Sequence, residues 1–340
     1  MLAKSIHMQD VKTCLLCGNE GVPLYQGVQD RLFGVPGTWS LMCCPKCRLA
    51  WLNPRPLPED IGKLYVEYHT HQAEEVLEPL DLRKIIKASI LQTRFGYLPD
   101  GASRLLGRVL AWIGPLQEIA GGSVMWLKAG ERGRLLDVGC GNGRFLAQMR
   151  ELGWEVVGTE PDPEAVRIAK ERFGLKVFQG TLEETMFPED SFDVITMNHV
   201  IEHVPNPIEL LAKCRQILKP GGKLVVTTPN IKSLGQQVFG EYWRGWEVPR
   251  HLFLFSLKSL QTCAERVGLR VKKLWTTSRG ARWIWATSRS IQCKGKLHQD
   301  SLQRMSLLLR LEGLAFWTVE YLLSRTRDVG EELVLEALKD

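Results

Sequence analysis

Between residues 131 and 275 short apolar runs alternate with segments of helical spacing. Residues 135–138 form an apolar run that ends in the turn GCGNG, and Trp154 opens a second run, WEVVGTE, that closes on Glu160. PEAVRIAKERFG carries apolar residues one helical turn apart and stops at Gly174, before the short strand KVFQG and the polar turn Thr181, Leu182, Glu183. SFDVITMNHVIEHV reads as a buried strand running into His199, Glu202 and His203, and LKPGGKLVVTTPN as a tight glycine turn leading into a fifth strand. Apolar strands separated by helices in strict succession predict an α/β fold with a parallel sheet.

The flanks continue the pattern less regularly. VKKLWTTSRGARWIWATS predicts a sixth strand and an aromatic segment, MSLLLRLEGLAFWTVEYLLSR an apolar helix, and EELVLEALK the last strand, which makes about 280–326 a helical insertion. Arg310, Glu312 and Glu320 interrupt that helix, which favours a packing or interfacial helix over a membrane span. Upstream, NPRPLP at 53–58 is too rich in proline for a helix or a central strand and reads as a linker. Residues 59–130 are largely helical in pattern and basic, with Arg83, Lys84, Lys87, Arg94, Arg104 and Arg108. They suit a lid over a substrate pocket, a patch for an anionic substrate or membrane surface, or a nucleic-acid footprint. The expected domains are 1–58, a helical lid or linker at 59–130, and 131–340.

Five of the nine cysteines fall in the first 47 residues. Cys14 and Cys17 form CLLCG, Cys44 and Cys47 form CPKCR, and four thiolates in two CxxC turns suit tetrahedral structural zinc. The glycine-rich stretch between them reads as short strands and turns, so 1–58 resembles a zinc ribbon whose small core needs the metal to fold. Cys140, Cys214, Cys263 and Cys293 are dispersed and read as small packing residues. At 340 residues, 44% hydrophobic and 24% charged, the composition is that of an ordinary globular enzyme with additions. The start, MLAKSIHMQD, has no apolar core of a secretory signal, and the expected location is cytoplasmic.

The turn after the first strand holds the chemistry. Gly139, Gly141 and Gly143 stand two apart after Asp137, one position short of the dinucleotide fingerprint GxGxxG, which argues against a nicotinamide cofactor. Glu160 closes the second strand 23 residues after Asp137, where an acid can hold both hydroxyls of a ribose. With FDVITMNHVIEHV and LKPGG, these motifs make residues 131–275 resemble a class I S-adenosylmethionine-dependent methyltransferase of the small-molecule type that includes the ubiquinone-biosynthesis O-methyltransferases. The resemblance implies a Rossmann-like seven-stranded sheet and S-adenosyl-L-methionine as cofactor. It assigns the methionine part to Asp137, Gly139, Cys140, Gly141 and Gly143, the ribose to Glu160 with Pro161 beside it, and the adenine to Gly180, Thr181 and Leu182. Asn198 and His199 are then expected beside the reactive methyl.

A hydroxyl acceptor needs a base, and histidine is the side chain best matched to neutral pH. His199, His203 and His251 are the candidates, His199 first. His203 also suits an orienting role, and His199, Glu202 and His203 together suit a divalent transition metal. Trp243, Trp246 and Arg250 fit either an acceptor site, by stacking and by binding an anionic group, or the closing of a hydrophobic edge. His7, His69, His71 and His298 lie in polar surroundings and are assigned no catalytic part. The expected function is methyl transfer to a small molecule, at oxygen, in a biosynthetic pathway. Alternatives are a zinc-ribbon RNA base methyltransferase and an inert cofactor-binding scaffold. A net charge of +6 and the absence of an NPPY-like turn at the fourth strand make nucleic acid an improbable partner.

Overall fold

The computed structural model describes residues 6–65, 82–297 and 307–340. His69, His71 and His298 lie outside them, as do part of the expected lid and part of the expected insertion. The chain divides into two compact units, Met1–Tyr68 with His199–Leu211 and Val226–Leu335, and His69–Asn198 with Ala212–Val225 and Glu336–Asp340.

The α/β reading holds. Seven strands, β1 (Arg134–Val138), β2 (Glu155–Glu160), β3 (Val177–Gln179), β4 (Phe192–Asn198), β5 (Leu218–Pro229), β6 (Leu269–Thr277) and β7 (Glu332–Lys339), form one sheet. Their order is β6-β7-β5-β4-β1-β2-β3, the Rossmann-like seven-stranded arrangement expected of a class I methyltransferase. β1 is parallel to both neighbours, with Asp137 opposite Gly158 on β2 and opposite Thr196 on β4. Leu135, Leu136, Val138, Val157, Val194, Ile195 and Met197 are buried, as continuous apolar runs are in a sheet covered on both faces.

In the second unit, among the described residues, three α-helices precede the sheet: α1 (Leu82–Phe95), α2 (Arg104–Leu110) and α3 (Gly114–Gly122). After the glycine turn comes α4 (Arg144–Glu151), and after β2 comes α5 (Pro163–Phe173). Asp162 caps α5 by accepting from Glu164 and Ala165, Pro163 sits in its first turn, and Gly174 ends it at φ +59°.

In the first unit, the strands Val22–Val28, Trp39–Cys43 and Ala50–Asn53 pair antiparallel, and Phe253–Leu254 adds to the last of them. Trp51 is the pivot of this sheet, buried and donating its indole N–H to the Val11 carbonyl at 2.7 Å. The aromatic segment after β6 is a helix, Ala281–Lys294, and the apolar segment is the helix Leu307–Ser324. The latter buries Gly313, Phe316 and Glu320 and leaves Leu307, Leu308, Leu311, Leu314 and Leu322 exposed. Among the described residues, no helix is long and apolar enough to cross a membrane.

Candidate functional site

The strand order reverses direction between β1 and β4, and ligands of open α/β sheets bind outside the carboxyl ends of the strands at such a point. The glycine turn sits there. Gly139 and Cys140 donate to the Thr159 carbonyl at 2.9 and 3.0 Å, and Gly139, Gly141 and Gly143 all have positive φ. A Cβ on Gly143 would lie 2.6 Å from Leu175 and 2.9 Å from Ala169, so only glycine lets α4 start this close to α5 and its exit. A Cβ at Gly141 would meet nothing within 4 Å, so this part of the turn faces open space.

Two carboxylates organise the turn. Glu160 accepts from Gly141 N–H at 2.9 Å and Asp162 N–H at 3.0 Å, and its carbonyl accepts from Gly180 N–H at 3.0 Å. Glu160 thus ties the glycine turn to the turn at Gly180, Thr181 and Leu182. Asp137 is buried and accepts from the Thr196 hydroxyl at 2.7 Å. Burial, with the nearby Glu160 charge, pushes its pKa up to about 7. Asn198 is exposed at the end of β4, whose Met197 pairs with Val138 of β1. Burial raises the Cys140 thiol, which disfavours its reactive thiolate form.

The histidines belong to the first unit. His199 has φ +55°, and both ring nitrogens face carboxylates: Nδ1 is 3.1 Å from Glu202 and Nε2 is 3.1 Å from Glu332. Burial works against its charged form, but the hydrogen bonds to the two acids prevail and lift its pKa to about 10. Burial would raise Glu202 and Glu332; their cationic partners, His199 for the first and Arg279 with His199 for the second, bring both down to about 2. Arg279 lies 3.0 Å from Glu332, and the Thr228 hydroxyl donates to Glu202 at 3.0 Å.

His203 lies in an irregular turn before the helix Pro207–Ile217, with Nδ1 2.8 Å from the Tyr65 hydroxyl and 3.2 Å from the Arg250 carbonyl. A carbonyl only accepts, so Nδ1 carries hydrogen and Nε2 is left as the basic nitrogen. His251 is buried, its Nδ1 donates to the Gly245 carbonyl at 2.7 Å, and its ring lies 4.7 Å from that of His203. Burial lowers His251 to about 4, so it is neutral at pH 7. The ligand atoms of Glu202, His203 and His251 lie within 4.8 Å of one another. The turn thus gathers His251 with Glu202 and His203, while His199 faces two acids instead of joining the expected metal triad.

Arg250 is no acceptor-binding residue. It is fully buried, with Nη1 and Nη2 3.1 and 3.0 Å from the two oxygens of Asp30, its Nε 3.4 Å from Glu247, and its guanidinium 4.3 Å above the Phe33 ring. Trp243 and Trp246 are buried against each other and donate to Glu331 and to the Gly240 carbonyl at 3.0 and 2.8 Å. This segment closes a core.

The four cysteines form two like turns. Gly18 N–H donates to the Cys14 carbonyl and Arg48 N–H to the Cys44 carbonyl, both at positive φ, while Cys14 and Cys44 N–H donate to the carbonyls of Asn19 and Leu49. The sulfurs of Cys14 and Cys47 are 3.4 Å apart, those of Cys17 and Cys44 3.3 Å, and those of Cys17 and Cys47 3.8 Å. Zn–S bonds of about 2.3 Å in a tetrahedron place sulfurs roughly 3.8 Å apart, so the set fits zinc with small adjustments. Burial opposes the thiolate at Cys17, but hydrogen bonds from Asn19 bring it down to about 6.

Glu332, Arg279 and Tyr65 are missing from the candidates drawn from sequence. The one available signal is the acidic pair Glu331–Glu332 at the start of the last strand.

Residues 115–274 match the model of a methyltransferase domain family. Over 117 residues the chain is 38% identical to the ubiquinone biosynthesis O-methyltransferase of Cereibacter sphaeroides, an alignment covering 32% of this chain and 47% of that protein. The namesake from Roseobacter denitrificans is 40% identical over 102 residues, 28% of this chain and 41% of that protein. The chain thus spans about half the length of these curated relatives. Among solved structures, phosphoethanolamine N-methyltransferase 2 of Haemonchus contortus, in complex with S-adenosyl-L-methionine, aligns with TM-score 0.47 and 18% identity, covering 85% of this chain and 63% of that one. Residues 115–274 are thus similar to a methyltransferase domain.

Proposed function

We propose that the chain transfers a methyl group from S-adenosyl-L-methionine to a hydroxyl of a small, quinone-like or sugar-like biosynthetic intermediate, and that it carries one structural zinc. The observation that carries this is the glycine turn joined through Glu160 to the turn at Gly180, at the point where the strand order reverses. Asp137, Gly139, Gly141, Gly143, Glu160, Gly180, Thr181 and Leu182 are the residues that would hold the cofactor. The open space beside Gly141 and the carboxylate of Glu160 suit an adenosyl ligand. The cofactor supplies an electrophilic methyl whose bond to sulfur breaks as its bond to the acceptor oxygen forms. The names of the curated relatives support oxygen as the nucleophile.

The protein's task is alignment, exclusion of water and removal of one proton. His199 is first by sequence position, but an imidazolium held by two carboxylates has no free lone pair for that proton. His203 is the better base, because Nδ1–H is fixed on the Arg250 carbonyl and Nε2 remains to accept. His199 acts instead as a fixed positive charge that offsets the developing negative charge on the acceptor oxygen. His251 positions His203. Cys14, Cys17, Cys44 and Cys47 would hold the zinc, which fixes the turns that support the first unit's sheet.

The test is turnover with a catechol acceptor. His203→Ala should lower kcat about 100-fold, while binding of S-adenosylhomocysteine persists. His199→Ala should lower kcat as well. An unchanged kcat in His203→Ala removes it as the base.

A further inference from the structure

Helix α2 is built inside out. Its buried side carries Ser103, Gly107 and Ala111, one small residue per turn, and a Cβ on Gly107 would collide with the Thr93 hydroxyl and the Ser89 carbonyl of α1. Its outer side carries Leu105 and Val109, one turn apart, and Trp112 follows in the turn after the helix; these are 75%, 63% and 89% exposed. Leu98 and Ile113, before and after the helix in sequence, are also exposed. A surface helix of a globular protein normally turns such residues inward. Here the small residues pack and the large apolar ones face out.

The charges on the helix itself are of one sign. Arg104 and Arg108 are exposed on the same two turns, and among the described residues neither makes an ion pair or a hydrogen bond to another group. Between residues 82 and 122 the only acids are Asp100 and Glu118, against Arg83, Lys84, Lys87, Arg94, Arg104 and Arg108.

We propose that α2 and its flanks dock the protein on a bilayer that contains anionic phospholipid. Leu105, Val109 and Trp112 enter the boundary between headgroups and acyl chains, and Arg104 and Arg108 meet lipid phosphates. Five exposed apolar side chains on and beside this helix fall far short of the roughly 20–30 residues a side of a stable protein interface. A bilayer needs only a small apolar wedge with cations at its rim, which is what this helix offers. The inference does not rest on the methyltransferase reading, because it is tested by binding.

The full chain is to be sedimented with vesicles of phosphatidylcholine alone and of phosphatidylcholine with about 30 mol% phosphatidylglycerol. Binding is expected only with phosphatidylglycerol and should weaken as salt is raised. The double variant Leu105→Ser, Trp112→Ser should bind about tenfold more weakly or worse at an unchanged melting temperature. Arg104→Gln with Arg108→Gln should abolish the preference for the anionic lipid. Leu311→Ser with Leu314→Ser, on the other exposed apolar helix, should bind like the parent. The proposal is overturned if the α2 variant binds undiminished, or if only the Leu311 and Leu314 variant loses binding. A lipid-free dimer that the α2 substitutions dissociate would overturn it as well.

Discussion

Arg250→Met is the perturbation whose cost the structure defines best. Breaking a buried ion pair by removing one partner costs about 3–5 kcal/mol, because the other charge stays in a medium that cannot solvate it. Arg250 serves Asp30 bidentately and also approaches Glu247, so its loss strands two buried carboxylates. Both keep other support. Asp30 accepts backbone N–H bonds from Leu32, Phe33 and Val35 at 2.9, 3.1 and 3.1 Å, and Glu247 keeps Arg244. The loss is therefore expected at the lower end, about 3 kcal/mol. Adding Asp30→Asn should return about 1–2 kcal/mol, because the amide oxygen still accepts backbone N–H bonds without a charge to desolvate. Urea unfolding followed by tryptophan fluorescence reads both variants, since Trp243 and Trp246 are buried in the same segment. A loss below about 1 kcal/mol, or an unchanged stability with a raised KM for the acceptor, would refute the core role of Arg250.

Three further outcomes follow from the same contacts. Metal analysis of the purified chain should find one zinc per molecule, lost with Cys17→Ser and with strong chelators, together with a fall in melting temperature; a metal-free protein of equal stability contradicts the site. His199, raised from 6.5 to about 10, brings stability that is complete below 6.5 and lost as pH rises through about 10. Glu202 and Glu332, lowered from 4.5 to about 2, bring stability that is complete above 4.5 and lost as pH falls towards about 2. Denaturation midpoints should thus be flat between about 4.5 and 6.5 as far as these groups govern them, and Glu332→Gln should move the His199 titration seen by NMR back towards neutrality. A titration that does not move would show that Glu332 does not hold the imidazole.

The sheet was legible because its signal is local. Leu135, Leu136 and Val138 are buried in the central strand they spell out, and Asp162, Pro163 and Gly174 mark both ends of α5 within the sequence itself. The CxxC spacing likewise predicts the gathering of Cys14, Cys17, Cys44 and Cys47, since each turn brings two sulfurs together. The histidine cluster was only half legible. His199, Glu202 and His203 are neighbours in sequence, but Glu332, with its partner Arg279, comes from a distant segment, and the charges of Glu202 and Glu332 turn His199 from a base into a cation. Arg250 fits two readings in the sequence for the same reason: its partner Asp30 lies 220 positions away. The outward apolar side of α2 runs against the pattern rule, because Gly107 rather than the leucines makes the close packing.

The central claim is that the glycine turn and Glu160 hold an adenosyl ligand. Isothermal titration of the purified chain with S-adenosylhomocysteine tests it most directly. The account predicts saturable binding at one site per chain, weakened at least about tenfold by Glu160→Ala at an unchanged fold. No heat and no saturation with the folded parent chain, or equal affinity in Glu160→Ala, would contradict it.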